Sequence, residues 1–474
     1  MTRPEPNWEL LRASLSGELL LPGSTEYEWA RKSFIARFDE IRPQAVACCA
    51  IPEDVREVVA FARRSGVEMA VRSGGHSLAG YSSTRGVVID VSRMDSVVVG
   101  DGVVRVGAGT RTGELCERLF QHGLAIPTGT CPSVGIAGLT LGGGIGTLGR
   151  AYGLTLDRLL GAEVVLADGS VVECDEHQHP DLFWALRGAG AGNFGVVTSF
   201  GFEPLAAPEM ANFHLLWRYG DAAAVIAGWQ EWSPRGPDEL SADLVLSAPG
   251  DPSLEPAVEI YGAVIGTKHD ASDLLAQLTK RVGVAPHSHD CKELSYGATC
   301  AFQAEVSVGY DQIEEGAPKG RKLRQGYRFT KSQFFARPLP HEAIAALTET
   351  FESEREQGEL RSIGFAPWGG AYNRREPQAT AFPHRDQLFS IEHIVIVDPA
   401  ASSAPKSHAY EWATRSWASV SVWAAPGVYP CFPDPELDDS NRAYYGDNTR
   451  RLQDVKTRYD PHGIFHFEQS LSTN

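Results

Sequence analysis

The most informative stretch of this 474-residue chain lies at 128–146 and reads TGTCPSVGIAGLTLGGGIG. Its glycines are Gly129, Gly135, Gly138, Gly142, Gly143, Gly144 and Gly146. Each glycine costs chain entropy on folding, so this density predicts backbone packed closely against another group. A flat aromatic cofactor with a phosphate tail would fit, and so would a glycine-rich packing loop. The spacing is not the G-x-G-x-x-G dinucleotide fingerprint.

Two further glycine-rich segments flank this stretch. RSGGHS (72–77) follows an apolar run, and its small residues can let backbone N–H groups converge into an anion-binding nest. A simple turn with a hydrogen-bonded histidine is the alternative interpretation. The third segment, 181–198, leads into a β-type run. Taken alone, these segments indicate close backbone packing and leave its purpose open.

Short β-type runs alternate with helical patterns over the first ~200 residues. Strands are predicted at 87–91, 103–106, 163–166 and 196–200, and helices at 52–64 and 111–120. After residue 204, strands predicted at 213–217, 257–264 and 388–397 alternate with Ala- and Leu-rich helices. A polar surface loop is predicted at 311–325 and a helix at 444–459. This interleaving favours an α+β fold.

Composition excludes several functions. The chain carries 43 basic and 60 acidic residues, a net charge of −17, so we expect no nucleic-acid binding. No apolar run is long enough for a membrane span, and residues 1–9 lack the basic-then-apolar order of a secretory signal, so a cytoplasmic location is expected. The eight cysteines lack zinc-site spacing; no metal is expected, and most cysteines should be buried thiols.

Together these segments resemble the berberine-bridge-enzyme-like flavoproteins of the vanillyl-alcohol-oxidase (PCMH-type) FAD-binding superfamily. The matching motifs are RSGGHS (72–77), CPSVGIAG (131–138), GGG (142–144), ADG (167–169), DLFWALR (181–187), GNFGVVT (192–198), TAFPHR (380–385), YYGDN (444–448), VKTRYDP (455–461) and QSL (469–471). The resemblance implies an FAD-binding domain in two parts, 1–205 and 425–474. A substrate-binding domain, 206–424, would carry an antiparallel sheet covered by helices.

The resemblance also implies FAD held by two covalent bonds, from His76 to the flavin 8α-methyl and from Cys131 to ring carbon 6. Val134 would occupy the family's oxygen gate and permit reoxidation by O2. The other cofactor-binding residues implied by the motifs are Arg72, Ser73, Gly74, Gly75, Ser77, Ser82, Thr130, Gly135, Gly138, Gly142, Gly143, Gly144, Gly146, Gly192, Asn193, Val197, Tyr444 and Asn448.

The catalytic base departs from the family pattern. Many relatives use the second tyrosine of a Tyr-x-Asn-Tyr-x-Asp run, and here YPCFPD (429–434) places Phe432 at that position. Phenylalanine cannot accept a proton. Strand alternation puts Ser390 and Glu392 on one face of 388–397, where the family's strand lines the substrate pocket. Glu392 is therefore the candidate base, with an ion-paired or solvated glutamate as the alternative interpretation.

Weaker candidates for the catalytic base are Tyr372, Tyr429, His393 and Tyr444. Ser390, Phe432 and Trp368 are expected in the substrate pocket. The favoured function is oxidation of a C–O or C–N bond in a specialised metabolite, by hydride transfer to FAD with O2 as acceptor, in a monomer or homodimer. The alternatives are a carbohydrate oxidase and a flavin-containing binding or resistance protein.

Overall fold

The computed structural model describes residues 6–307, 312–313 and 323–473. The helices are α1 (Trp8–Ser14), α2 (Thr25–Ala30), α3 (Pro52–Ser65), α4 (Thr112–Phe120), α5 (Ile136–Gly142), α6 (Gly149–Tyr152), α7 (Pro180–Ala189), α8 (Ala222–Trp232), α9 (Lys268–Val282), α10 (Tyr296–Ser307), α11 (His341–Glu352), α12 (Ser403–Ala418), α13 (Ser440–Tyr445) and α14 (Thr449–Tyr459).

The strands are β1 (Glu18–Leu20), β2 (Ala45–Cys48), β3 (Met69–Arg72), β4 (Val87–Asp90), β5 (Val97–Val99), β6 (Val104–Gly107), β7 (Leu124–Ala125), β8 (Leu159–Leu166), β9 (Val171–Asp175), β10 (Gly195–Phe202), β11 (Leu205–Ala206), β12 (Glu209–Arg218), β13 (Leu240–Ala248), β14 (Ala257–Ile265), β15 (Ser288–Ser295), β16 (Gln312–Ile313), β17 (Leu323–Arg324), β18 (Tyr327–Phe335), β19 (Leu360–Pro367) and β20 (Phe389–Val397).

The N-terminal part contains two sheets. One has the strand order β1-β2-β4-β3, with β2 and β3 parallel to β4, and the other has the antiparallel order β5-β6-β10-β8-β9. The predicted strands at 87–91, 103–106, 163–166 and 196–200 correspond to β4, β6, β8 and β10. Helix α3 begins with Pro52 at its first turn and ends at Gly66, whose φ of 64° favours glycine.

A seven-stranded antiparallel sheet follows, in the order β15-β12-β14-β13-β19-β20-β18. Alternation in β13 buries Leu244 and Leu246 on one face, where they join Trp229 of α8 and Trp412 of α12 in one core. Helices thus cover one face of this sheet, and polar residues lie on the other. The predicted α+β class, with an antiparallel sheet covered by helices, is confirmed.

A separate core combines both ends of the chain, for example Val58, Val196 and Leu452. Its members come mainly from residues before 203 and after 427, whereas the core under the seven-stranded sheet spans 211–420. The domain bounds at 205/206 and 424/425 remain predictions.

Two features of the structure differ from the sequence-based predictions, and one prediction falls mostly outside the described residues. The predicted helix 444–459 is broken, because α13 ends at Gly446 with φ 50° and α14 begins at Thr449. Cys116 and Cys300 are not buried thiols but form a disulfide, since α4 and α10 pack together. Most of the predicted loop 311–325 lies outside the described residues.

Across residues 6–307 and 323–473, no helix has both the length and the apolar character that a membrane crossing requires. The same part of the chain contains no group of three or more His, Cys, Asp or Glu side chains arranged to hold a metal ion.

Candidate active site

A cavity of about 1160 Å³ lies between the glycine-rich segments and the polar face of the seven-stranded sheet. Typical small-molecule pockets measure about 300–1000 Å³, so this cavity has room for a large cofactor and a substrate together. The predicted cofactor-binding residues that line it are Ser73, Gly74, Gly75, His76, Ser77, Ser82, Thr130, Cys131, Gly135, Gly138, Gly142, Gly192, Val197 and Tyr444.

The first two glycine-rich segments touch each other backbone to backbone. β3 leads into Ser73 and Gly74, and Gly135 is the residue that caps the start of α5. A Cβ atom at Gly135 would fall well inside van der Waals contact of the Ser73 hydroxyl and the Gly74 nitrogen. Glycine is therefore required at this contact by close approach, not by its φ of −77°.

His76 lies in the cavity wall, in the first of the two glycine-rich segments that touch each other. Its ring stacks on Phe34 with a centroid distance of 3.7 Å, and its Nε2 shares a 3.1 Å hydrogen bond with the Ser133 hydroxyl. Burial, together with the nearby cations Arg111 and Arg328, lowers the pKa of His76 to about 3. The imidazole is therefore neutral at pH 7 and keeps a lone pair for bond formation.

Cys131 lies beside the same hydroxyl. Its Sγ is 3.5 Å from Ser133 Oγ, so the histidine and the cysteine reach one shared atom from two distant segments. Helix α4 holds this turn: the Thr112 hydroxyl donates to the Cys131 carbonyl at 2.6 Å, and the Thr112 N–H donates to the Val134 carbonyl at 2.9 Å. Val134, the predicted gate, also lines the cavity.

Other predicted cofactor-binding residues lie outside the cavity lining. Arg72 is buried and forms a 3.1 Å ion pair with Asp90. The Asn193 side chain donates to the Ala189 carbonyl and accepts from the Leu471 N–H. These two side chains join protein segments to each other.

Asn448 also joins two protein segments, because its side-chain amide donates to the carbonyls of Pro377, Thr380 and Ala381. Residues 443–448 therefore contribute to the cavity through Tyr444 and Tyr445, while Asn448 holds the segment at 377–381.

Three glycines near the end of the stretch 128–146 pack against other protein atoms. A Cβ atom at Gly143, Gly144 or Gly146 would clash with Tyr429, Thr155 or Thr128, respectively. A Cβ atom at Gly138 would meet nothing within 4 Å, and Gly138 lines the cavity. The stretch 128–146 thus serves both purposes considered from the sequence, because one part packs internally and another borders the cavity.

The opposite wall is the polar face of the sheet. Ser390, Glu392 and Ile394 of β20 all line the cavity, as strand alternation predicts. The Glu392 carboxylate pairs with Arg328 on β18, and their side chains are 19% and 11% exposed. Burial raises the pKa of Glu392, and Arg328 opposes that rise. Glu392 is therefore both ion-paired and at the cavity, which combines the two interpretations made from the sequence.

The aromatic residues predicted for the base or the substrate pocket separate into those that line the cavity and those that do not. Tyr429 and Phe432 line the cavity, with ring centroids 5.0 Å apart. The Tyr429 hydroxyl accepts a 2.7 Å hydrogen bond from the Gly144 N–H, and burial raises its pKa, so it is a neutral phenol. Tyr444 bonds through its hydroxyl to the Asp434 N–H and to Gln469, which ties up its oxygen.

Tyr372, Trp368 and His393 are absent from the cavity lining. The first two belong to a buried aromatic cluster with Phe382, and the Tyr372 hydroxyl bonds to the Gly146 backbone. His393 lies on the helix-covered face of β20, where Nδ1 contacts the Ser416 hydroxyl at 2.8 Å. Packing against neighbouring segments, which the sequence pattern does not reveal, turns Trp368 and Tyr372 away from the cavity, whereas the alternation of β20 itself places His393 on the face opposite Glu392.

Sequence reasoning missed Arg328 and Asp243. Asp243 sits on the cavity face of β13, and burial raises its pKa to about 7. One signal was available, because Asp243 is a charged residue between buried positions in the alternating run LSADLVLSA (240–248). Arg328 gave no comparable signal, since its role depends on which strand pairs with β18.

Comparison with known proteins identifies the family of this chain. A family model described as "FAD binding domain" matches residues 43–175, and one described as "Berberine and berberine like" matches 428–472. The FAD-linked oxidoreductase YgaK of Bacillus subtilis is 31% identical over 467 residues, covering 97% of this chain and 98% of YgaK. The chain belongs to the berberine-bridge-enzyme-like FAD-linked oxidoreductases.

Solved structures of this berberine-bridge-enzyme-like family share the fold. A variant of BBE-like 1 from Physcomitrella patens superposes with a TM-score of 0.88 at 26% identity, covering 98% of this chain and 99% of that one. Glucooligosaccharide oxidase from Acremonium strictum, which carries a 6-S-cysteinyl, 8α-N1-histidyl FAD, has a TM-score of 0.86 at 27% identity, with the same coverage. This chain is an FAD-linked oxidoreductase.

Proposed function

We propose that this berberine-bridge-enzyme-like protein is an oxidase that removes a hydride from an alcohol or hemiacetal carbon of a hydroxyl-bearing small molecule and passes the electrons to O2. The single observation that carries the proposal is a cavity with the His76–Cys131 pair on one wall and a buried, ion-paired Glu392 on the other. One wall suits the cofactor and the other suits proton removal.

FAD fits the residues at the first wall. The contact of two glycine-bearing loops, the open side of Gly138 and the neutral His76 beside Cys131 together suit a planar group attached at two points. The bicovalent FAD named for glucooligosaccharide oxidase supports attachment at His76 and Cys131 here. FAD, when bound, accepts the substrate hydride and passes its electrons to O2. Val134, at the cavity wall, would leave access for O2.

Glu392 is proposed as the base that takes the substrate hydroxyl proton. A general base works best with a pKa raised towards the working pH, and burial acts in that direction on Glu392. Phe432 cannot take this role, and the hydroxyls of Tyr429 and Tyr444 are engaged by other groups. Among the sequence-predicted candidates that line the cavity, this leaves Glu392 as the proton acceptor.

The sheet wall favours a substrate with several hydroxyl groups. Asp243, Tyr261, Ser362 and Ser390 line it and can bind hydroxyls, whereas Trp368, which was expected in the substrate pocket, is buried elsewhere. A carbohydrate therefore becomes the first candidate, in keeping with the name of glucooligosaccharide oxidase. A specialised metabolite is the second candidate, because Phe432, Ile394 and Ile396 add apolar lining.

Steady release of H2O2 on a panel of reducing sugars and hydroxylated polycyclic molecules would test the oxidase. Turnover on sugars would support the carbohydrate candidate, and turnover on polycyclic molecules alone would support the second one. Binding of panel members without flavin reduction would contradict the proposal and favour a binding protein.

The Glu392→Gln variant should slow anaerobic flavin reduction by substrate about 100-fold or more, because loss of a general base typically costs 10²–10⁴ in rate. Stopped-flow absorbance of the flavin measures this rate directly. The exposed Glu352 provides a matched control, and Glu352→Gln should reduce at the normal rate. A normal rate in Glu392→Gln would remove Glu392 from the mechanism.

A further inference from the structure

Arg328 is held by three separate contacts. Its Nε donates to Thr330 Oγ1 at 2.7 Å, its Nη1 donates to Gln325 Oε1 at 2.8 Å, and its Nη2 donates to Glu392 Oε1. A planar guanidinium with every nitrogen engaged has one orientation. The N–H group on Nη2 of Arg328 is therefore fixed in its direction and donates to Oε1 of Glu392.

The contact is not between directly opposed residues of the two strands. In the β18–β20 register, Ser332 lies opposite Glu392, and Arg328 lies opposite Ile396. Four residues of strand separate Arg328 from Ser332, roughly 13 Å at the usual rise per residue. The Arg328 side chain must therefore extend along the sheet towards Glu392, and Gln325 and Thr330 support it in that direction.

The groups around Glu392 are uncharged or acidic, so the positive charge of Arg328 has a large influence on its ionisation. On the neighbouring β19, the cavity-facing residues Ser362, Gly364 and Ala366 carry no charge. Beyond β19, Asp243 on β13 and Glu259 on β14 are acidic, and Glu259 pairs with His214 of β12 at 2.8 Å.

On the opposite wall His76 is neutral at pH 7. Lys331 and His393 lie on the helix-covered side, where Lys331 pairs with Asp434 and Glu436. Among the described residues, Arg328 is thus the cation in contact with Glu392, and it acts against the effect of burial.

The two oxygens of Glu392 differ as a result. Oε1 is bonded to Arg328, while no group in the described part of the chain forms a hydrogen bond with Oε2. A carboxylate with one oxygen held and the other open to a cavity is suited to accept a proton in a defined direction.

We propose that Arg328 is the positioning residue of Glu392: it keeps the carboxylate ionised, holds Oε1, and leaves Oε2 to receive the substrate proton. This inference rests on the proposed function, in which Glu392 is the base. Arg328 itself transfers no proton, because its guanidinium stays charged.

The test measures anaerobic flavin reduction against pH for the wild-type holoenzyme, Arg328→Gln, Arg328→Lys and the exposed control Arg337→Gln. Reduction needs ionised Glu392, so its rate rises with pH through the pKa of that group. In Arg328→Gln the midpoint should move to higher pH by at least one unit, because the opposing cation is gone. Arg328→Lys should recover part of that shift, and Arg337→Gln should match the wild type.

A second readout is independent of turnover. Infrared titration of the same holoenzymes follows the carbonyl band of a protonated carboxylic acid, and Glu392→Gln identifies which part of the band belongs to Glu392. In Arg328→Gln this part should persist to higher pH than in the wild type. An unmoved band would overturn the proposed role of Arg328.

The two proposals fail in different ways. If Glu392→Gln reduces normally, the base assignment fails, yet the infrared shift still decides whether Arg328 controls the ionisation of Glu392. If Glu392→Gln is slow but the Arg328→Gln midpoint and band are both unmoved, the base stands and the positioning role is wrong.

Discussion

His76 and Glu392 show how one physical effect acts on two chemistries in the same cavity. Burial disfavours charge, so it lowers the pKa of the imidazole and raises the pKa of the carboxyl group. For His76 the neutral form is the useful one, because a lone pair is needed for attachment to the cofactor. For Glu392 the charged form is the useful one, and Arg328 opposes the effect of burial without cancelling it.

Gly135 offers a test of the contact between the two glycine-bearing loops. Gly135→Ala places a Cβ atom against the Ser73 hydroxyl and the Gly74 nitrogen, and such overpacking typically costs about 1–3 kcal/mol. Urea unfolding of the holoenzyme should show this loss, together with a lower flavin content per chain. Gly220→Ala is the matched control, because nothing lies within 4 Å of its Cβ position. Equal stability of the two variants would contradict the close contact.

Among the elements, two supports are decisive for the site. The start of α4 holds the Cys131–Val134 turn through Thr112, and β20, which pairs with β18 on one side and β19 on the other, carries Ser390 and Glu392 to the cavity.

The turn that follows α6 is anchored by Asp157, which accepts hydrogen bonds from both terminal nitrogens of Arg385, at 2.8 and 2.9 Å. This ion pair ties the glycine-rich region to the segment around 372–385.

Asp157→Asn should be strongly destabilising, because it leaves Arg385 buried without its carboxylate; breaking such a pair typically costs about 3–5 kcal/mol. Arg375, which also contacts Asp157, loses its partner as well. Chemical denaturation followed by circular dichroism measures the change. The exposed Asp438 gives the control, and Asp438→Asn should unfold with the wild type. A loss below about 1 kcal/mol in Asp157→Asn would show that this pair does not anchor the turn.

In the whole molecule, the cavity depends on parts of the chain far apart in sequence. Residues near 76 and 131 form one wall, strands between 240 and 396 form the other, and residues 429–433 and 465–469 return to complete it. The Cys116–Cys300 disulfide links α4, which supports the first wall, to α10. Covalent attachment of FAD would add a second set of bonds that hold the site.

Thiol titration can detect both the Cys116–Cys300 disulfide and the bond between Cys131 and the cofactor. Denatured but unreduced holoenzyme should show five thiols, because the disulfide removes Cys116 and Cys300 and the cofactor removes Cys131 from the eight cysteines. Cys131→Ser should leave the count at five, and Cys291→Ser, the control, should lower it to four. The acid-precipitated wild-type protein should stay yellow.

Six thiols in the unreduced wild type would show that Cys131 is not bonded to the cofactor. Seven would show that the disulfide is absent while Cys131 is bonded to the cofactor, and eight would show that both bonds are absent. Treatment with a reductant should add two thiols if the disulfide is present.

Short contiguous motifs were enough to identify the family, the cofactor and the α+β class, because loop geometry and strand alternation are local properties of the chain. Alternation also placed Ser390 and Glu392 on one face of β20. The Arg328–Glu392 pair, the burial of Trp368 and Tyr372, and the internal packing of Gly143, Gly144 and Gly146 were decided only by the tertiary structure. Each depends on contact between segments distant in sequence, and no local pattern specifies which surface a side chain will meet once those segments pack.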